Sequence, residues 1–283
     1  MSARVDRAFT RIAEGQVHYR TCGDKSSGDR KPLYMIHASP SSSVNLVPIM
    51  EVLGETRRVI APDTLGFGDS PPPTQDIPKA DDYAESIVRV MDSLSLDQCD
   101  VYGSHTGAHI ACEFAINYPD RVGRLVFDGI GMFSPEDKAD FLANYAPEVH
   151  PDEFGKHLIW AWNFVRDQAL HFPYFKRTPE FRQANASMPT PDTIQRIVLE
   201  VLKGLTTYHK GYHAAFGHDD RARLPLITHR TLCTASKDDP LVGGVEEAAS
   251  LVPNSEKAVL PNERTPEDVA EKALKINAFL DSA

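Results

Sequence analysis

One stretch constrains this chain more than any other: Asp100-Val101-Tyr102-Gly103-Ser104-His105-Thr106-Gly107-Ala108-His109-Ile110-Ala111. It reads as the end of a strand, a tight turn and the start of a helix. Glycine stands on both sides of a central position, two residues before it and two after. That spacing suits a strained turn, because neighbouring Cβ atoms would collide there. The residue presented at the centre is His105, and Ser104 comes one position too early. Such a turn has little structural use unless it holds out a side chain.

The rest of the chain has to supply a scaffold for that turn. Phe9–Ala13 and Glu14–Thr21 alternate apolar and polar residues around Glu14-Gly15, which predicts a β-hairpin. A polar loop runs to Lys31. Pro32–Ile36 and Val59–Pro62 are short apolar runs suited to strands buried on both faces. Helices are expected over Leu46–Leu53 and Tyr83–Leu94, the latter with Ile87, Val90, Met91 and Leu94 on one face. After the turn come a helix to about Asn117 and a strand at Leu125–Phe127. From Gly131 to Tyr212 the rhythm breaks into aromatic-rich helical segments and prolines, with no strand evident. It resumes with a strand at Arg230–Thr234, a helix at Val245–Leu251, a strand at Lys257–Leu260 and a closing helix, capped by Thr265, from Pro266 to Leu280. Alternating strands and helices mean parallel βαβ units. The expected division is therefore a core of residues 1–130 and 213–283 with a helical cap inserted at 131–212.

Composition excludes several classes. A formal net charge of −10 argues against a nucleic-acid partner or an anionic membrane surface. There is no apolar run behind Met1 and no span-length apolar stretch, so a soluble cytoplasmic protein is expected. Cys22, Cys99, Cys112 and Cys233 lack metal or redox spacing and read as buried free thiols. Whether the chain forms a homodimer is left open.

At four stations the sequence resembles the α/β-hydrolase superfamily, in its capped branch. Gly15–Arg20 resembles the first hairpin, and His37-Ala38-Ser39-Pro40 the His-Gly-x-Pro oxyanion loop. Ala61–Ser70 is similar to the fourth strand and the turn after it, and Ser236–Pro240 places Asp239 where the family's acid follows the seventh strand. The glycine-flanked turn matches the family's nucleophile elbow. The resemblance implies an eight-stranded, mostly parallel sheet flanked by helices, with no cofactor and no metal. It implies oxyanion donors at the backbone of Ala38/Ser39 and Thr106. Two departures stand out. The central position of the elbow holds His105 rather than serine. The loop after the eighth strand, Asn262-Glu263-Arg264-Thr265, lacks the family's late catalytic histidine, and the last histidine of the chain is His229.

His105 then has three readings: a nucleophile, a general base near its natural pKa, or a filler in a site without turnover. Ser104 is catalytic only if the turn is shifted by one residue. Asp239 supports the site, and Asp128, at the end of the sixth strand, is a second carboxylate candidate. Substrate contacts are expected from His37, Trp162, Arg166 and Tyr174. Trp162 and Arg166 share a helix face, and Arg166 is suited to a carboxylate, although an ion pair within the cap is the alternative. His209 and His213 have a metal-ligand spacing without a catalytic glutamate between them. The expected reaction is hydrolysis of an ester, thioester, lactone or activated C–C bond of a small carbonyl compound. A lyase or decarboxylase reaction and a non-catalytic binding protein are the alternatives.

Overall fold

The computed structural model describes residues 3–24 and 30–282. Much of the polar loop expected before Lys31, at 25–29, lies outside them. In chain order the hairpin strands β1 (Asp6–Ile12) and β2 (Gly15–Cys22) are followed by β3 (Leu33–Ile36), α1 (Val47–Leu53), β4 (Val59–Pro62), α2 (Ala80–Ser93) and β5 (Cys99–Ser104). Next come α3 (Thr106–Asn117), β6 (Val122–Asp128), then α4 (Pro135–Asn144), α5 (Lys156–Gln168), α6 (Pro191–Lys203), α7 (Tyr208–Phe216) and the short α8 (Asp220–Arg223). The chain closes with β7 (Thr231–Ser236), α9 (Val245–Leu251), β8 (Ser255–Leu260) and α10 (Pro266–Asp281). The eight strands form one sheet in the order β1-β2-β4-β3-β5-β6-β7-β8. Pairs involving β2 are antiparallel and the rest are parallel.

Apolar runs rather than alternation mark the central strands because both faces are covered. Tyr34 and Ile36 of β3, with Val101 of β5 and Phe127 of β6, point into a core closed by α2, α3 and α9. Leu33, Met35, Tyr102 and Val126 point the opposite way, into a core closed by α1 and α10. All four cysteines are buried and unpaired. No helix among the described residues is long and apolar enough to cross a membrane.

Between β6 and β7 the helices α4 to α7 build a third apolar cluster from Phe141, Tyr145, Phe164, Tyr174, Tyr208 and Phe216, among others. Residue 212 falls inside α7, whose last turn contributes Phe216 to that cluster. A boundary at 212 would therefore cut a helix whose two ends serve one core.

The turn between β5 and α3 is held by close backbone approach. A Cβ on Gly103 would lie 2.3 Å from the Gly107 carbonyl oxygen, and one on Gly107 would lie 2.3 Å from the Ile36 carbonyl oxygen. Neither obstacle is a side chain that can rotate away. Gly107→Ala is expected to destabilise the fold by about 1–3 kcal/mol, as overpacking does. Urea unfolding of the variant measures it, and a loss below about 0.5 kcal/mol would show that the helix can lift off the sheet freely.

Candidate active site

His105 is the single residue between β5 and α3, with φ 48° and ψ −111°. A side chain other than glycine is rarely held there, and such strain concentrates at functional sites. Its N–H donates to the Asp128 carbonyl at 3.0 Å, and its carbonyl accepts from Ala108 N at 2.8 Å, so the peptide is pinned on both sides. The imidazole reaches across to the loop after β7. There Nε2 lies 2.7 Å from Oδ2 of Asp239. The other carboxylate oxygen of Asp239 accepts from the Leu241 N–H at 2.8 Å, which fixes its orientation. Gly129, with φ 78°, passes against the ring: a Cβ there would lie 2.6 Å from His105 Cδ2.

Electrostatics fix the state of this pair. Burial opposes a charged imidazole, but the Asp239 carboxylate, with help from Asp128, outweighs it and raises His105 above the ordinary histidine value. Burial likewise opposes the Asp239 anion, yet the facing His105 and the Leu241 N–H hold it below the usual carboxylate range. An ionised carboxylate only accepts hydrogen bonds, so neutral His105 carries its proton on Nε2 and its lone pair on Nδ1. The side chain is 35% exposed, so it is reachable from solvent.

His105 and Thr106 line a cavity of about 260 Å³ between the sheet and the inserted helices. Ser39, Gln168, Gln183 and Tyr212 supply its other polar walls, and Phe133, Phe172 and Phe216 its aromatic ones. Thr106 opens α3, so its N–H has no acceptor within the helix and carries the positive end of the helix dipole. Ser39 is held by a cis peptide to Pro40, and its carbonyl accepts from the Tyr212 hydroxyl at 2.9 Å.

The comparisons with known proteins bear on this arrangement. A family model described as "alpha/beta hydrolase fold" matches residues 31–264. The chain belongs to the alpha/beta hydrolase fold family. It is similar to a 2-hydroxymuconate semialdehyde hydrolase of Pseudomonas sp. strain CF600, 42% identical over 58% of this chain and 61% of that one. A 2-hydroxy-6-oxo-2,4-heptadienoate hydrolase of Pseudomonas putida is 31% identical over 58% of this chain and 62% of its own length. The match thus spans about three-fifths of these relatives. A solved hydrolase structure from Pseudomonas aeruginosa superposes with a TM-score of 0.70 at 18% identity, covering 98% of this chain and 99% of that one.

In this alpha/beta hydrolase fold, the side chains of the loop after β8 are held by ion pairs and hydrogen bonds. Neither side chain that flanks the expected histidine position turns toward His105. Arg264 pairs with Asp238 at 2.8 Å and Glu263 with Lys272 at 2.6 Å, while Asn262 Nδ2 donates to Asp238 at 2.7 Å. His105 itself bonds Asp239 at 2.7 Å.

Several expected site residues lie elsewhere. Asp128 is buried under the sheet's end, bonded to the Tyr102 hydroxyl and to Lys272 Nζ, and acts on His105 through its charge and its backbone carbonyl. Ser104 ends β5 opposite Asp128 and does not line the cavity, and neither does Ala38. His37 spends both nitrogens on backbone, 2.9 Å from the Ala38 carbonyl and 2.9 Å from the Thr64 N–H. Arg166 is committed to Asp167 at 2.7 Å, which removes it as a carboxylate anchor. Trp162 and Tyr174 pack in the third cluster; the Tyr174 ring sits 5.1 Å from Tyr145, behind the cavity wall. The His209 and His213 rings meet edge-on at 5.8 Å and belong to no metal-ligating group among the described residues.

Two groups escaped the sequence reading. Lys272 on α10 is 2% exposed and bridges Asp128 and Glu263. The signal for it was present, since Val269, Ala273, Ile276 and Leu280 form an apolar stripe into which a lysine at 272 intrudes. The second is His109, one helical turn beyond His105 and in the wall of the same cavity.

Proposed function

We propose that this protein hydrolyses a bond next to a carbonyl group in a small molecule, a carbon–carbon bond by the kinship above, with His105 as the general base. The observation that carries this reading is the 2.7 Å contact of His105 Nε2 with Asp239, which leaves Nδ1 as the basic nitrogen of a ring that lines the cavity. The carbon–carbon specificity draws on the relatives, whose names describe semialdehyde and oxo-dienoate hydrolases. The cavity wall holds no lysine or arginine among the described residues, and two glutamine amides instead, whose N–H groups can bond a substrate's carbonyl or carboxylate oxygens.

The chemistry needs one base and one anion hole. His105 Nδ1 takes a proton from water as the water oxygen bonds the carbonyl carbon. The negative charge that develops on the carbonyl oxygen is met by the Thr106 N–H, with the backbone at Ser39 as the second donor. Collapse breaks the adjacent bond, and its electron pair stays on the departing fragment, which takes up one proton in exchange for the one that water gave to His105. Asp239 stabilises the imidazolium in between.

The test is acetate release from 2-hydroxy-6-oxo-2,4-heptadienoate beside p-nitrophenol release from p-nitrophenyl acetate, followed against pH. A base works only when deprotonated, so kcat should climb as pH rises through a value above the ordinary histidine 6.5 or so. Stability runs the other way. A raised histidine pKa stabilises the fold fully below about 6.5, and that contribution is lost as pH rises through the folded-state value. Activity that falls over this interval, or ligand-induced thermal stabilisation with no product from either probe, sinks the base reading.

A further inference from the structure

We infer that His109 is a second proton-transfer group of this cavity, oriented by Asp220, and that its imidazolium form protonates the departing fragment from Nε2. The inference rests on the hydrolytic reading above. His109 shares the cavity wall with His105 and Thr106, yet its environment is different. Its Nδ1 lies 2.6 Å from Oδ1 of Asp220, and the two side chains are 4% and 2% exposed. Nε2 has no hydrogen-bond partner among the described residues, and His109 lines the cavity.

The groups around it decide which nitrogen can exchange a proton. From the segment after α7, the His218 ring lies 5.4 Å from that of His109 and donates Nδ1–H to the same Asp220 oxygen at 2.8 Å. From α4, Lys138 Nζ sits 3.0 Å from the other Asp220 oxygen. From α3 itself, Glu113 accepts the second His218 proton at 2.7 Å and is bound in turn by Arg223 of α8 at 2.7 Å. Burial works against the His218 cation, but Asp220, Cys112 and Glu113 raise it to about 11. Asp220, although buried, is held far below the carboxylate range by the two histidines. His218 therefore keeps both protons and Asp220 takes none. His109 must keep Nδ1–H on Asp220, and it gains or loses a proton only at Nε2. His109, His218 and Asp220 also lie within metal-ligand distance of one another. The cations Lys138 and Arg223 at the cluster weigh against a dication there.

The proton balance closes with two histidines. Water gives one proton to His105 Nδ1 as its oxygen bonds the carbonyl carbon. The C–C bond breaks onto the carbon fragment, which takes the Nε2 proton of the His109 imidazolium and leaves that ring neutral with Nδ1–H still on Asp220. The extra proton on His105 and the missing one on His109 are restored through solvent. This predicts a bell-shaped kcat profile on the dienoate, whose descending limb belongs to His109.

The variant to make is His109→Gln, assayed on both probes. A carbon leaving group needs an acid and p-nitrophenolate does not. Turnover of the dienoate should fall about 100-fold or more and lose its descending limb, a loss at least about 10-fold larger than that of p-nitrophenyl acetate turnover. Equal losses on both probes, or an unchanged descending limb, overturn the inference in favour of a structural role. If His109→Gln melts below assay temperature, His109→Asn is assayed against the same two criteria. Failure of the underlying base reading is separate, because it shows in the wild type and in His105 variants.

Discussion

His105→Ala should lose turnover by about 1,000-fold or more, while Ser104→Ala stays within a few-fold of the wild type. The first expectation follows from what one positioned base contributes, roughly 10²–10⁴ in rate, together with the imidazolium that no longer forms beside Asp239. The loop that holds the late histidine in the family is committed here to Asp238 and Lys272, and Asp239 has no other imidazole partner among the described residues. The second expectation follows from position: Ser104 is the last residue of β5 and does not reach the cavity. Alanine retains the Cβ, so the backbone strain at φ 48° is unchanged and the comparison isolates the ring. The readout is kcat on both probes, with circular dichroism to check the fold. Loss confined to Ser104→Ala would mean that the turn presents serine in solution. His105→Ala with wild-type turnover would remove His105 from the reaction altogether.

The scaffold was legible in the sequence because its signals are local. Apolar runs of four residues announce strands covered on both faces, and the glycines at 103 and 107 announce a turn whose backbone touches its neighbours at both points. The His105–Asp239 pair was legible only through a resemblance, since 134 residues separate partners that meet at 2.7 Å. The substrate side was harder. Arg166 and Trp162 share a helical face, but a face says nothing about direction, and Asp167 next in the chain had already captured the guanidinium. Gln168, two residues on, is the one that lines the cavity. His109 was passed over because a histidine in an apolar helix is most simply a core residue. Only the fold brings Asp220 to it from 111 residues away.

The electrostatic layer beneath the site yields the largest stability effect. Lys272 is buried with its ammonium 2.6 Å from Asp128 and 2.6 Å from Glu263, and 3.2 Å from the Ser236 hydroxyl. Burial alone would drive off its proton, but Asp128 and Glu263 reverse that and raise it well above the lysine value. Lys272→Met keeps the length and apolar stem of the side chain and removes the charge. Asp128 is then left as a buried carboxylate with the Tyr102 hydroxyl as its remaining side-chain partner. Breaking a buried pair on one side costs about 3–5 kcal/mol, mostly as the penalty of the charge left behind. The variant should therefore unfold at a markedly lower urea concentration with an unchanged m-value. Asp128→Asn/Lys272→Met removes both charges and should recover most of the loss, because contacting sites are not additive. The same substitution reads the active site. Lys272 lowers the proton affinity of His105 and Asp128 raises it. In Lys272→Met, assayed below its melting temperature, the ascending limb of kcat should move to higher pH, and in the double variant it should move back. A limb that stays in place in both variants would show that the site is screened from the charges beneath it. His105 would then owe its proton affinity to Asp239 alone.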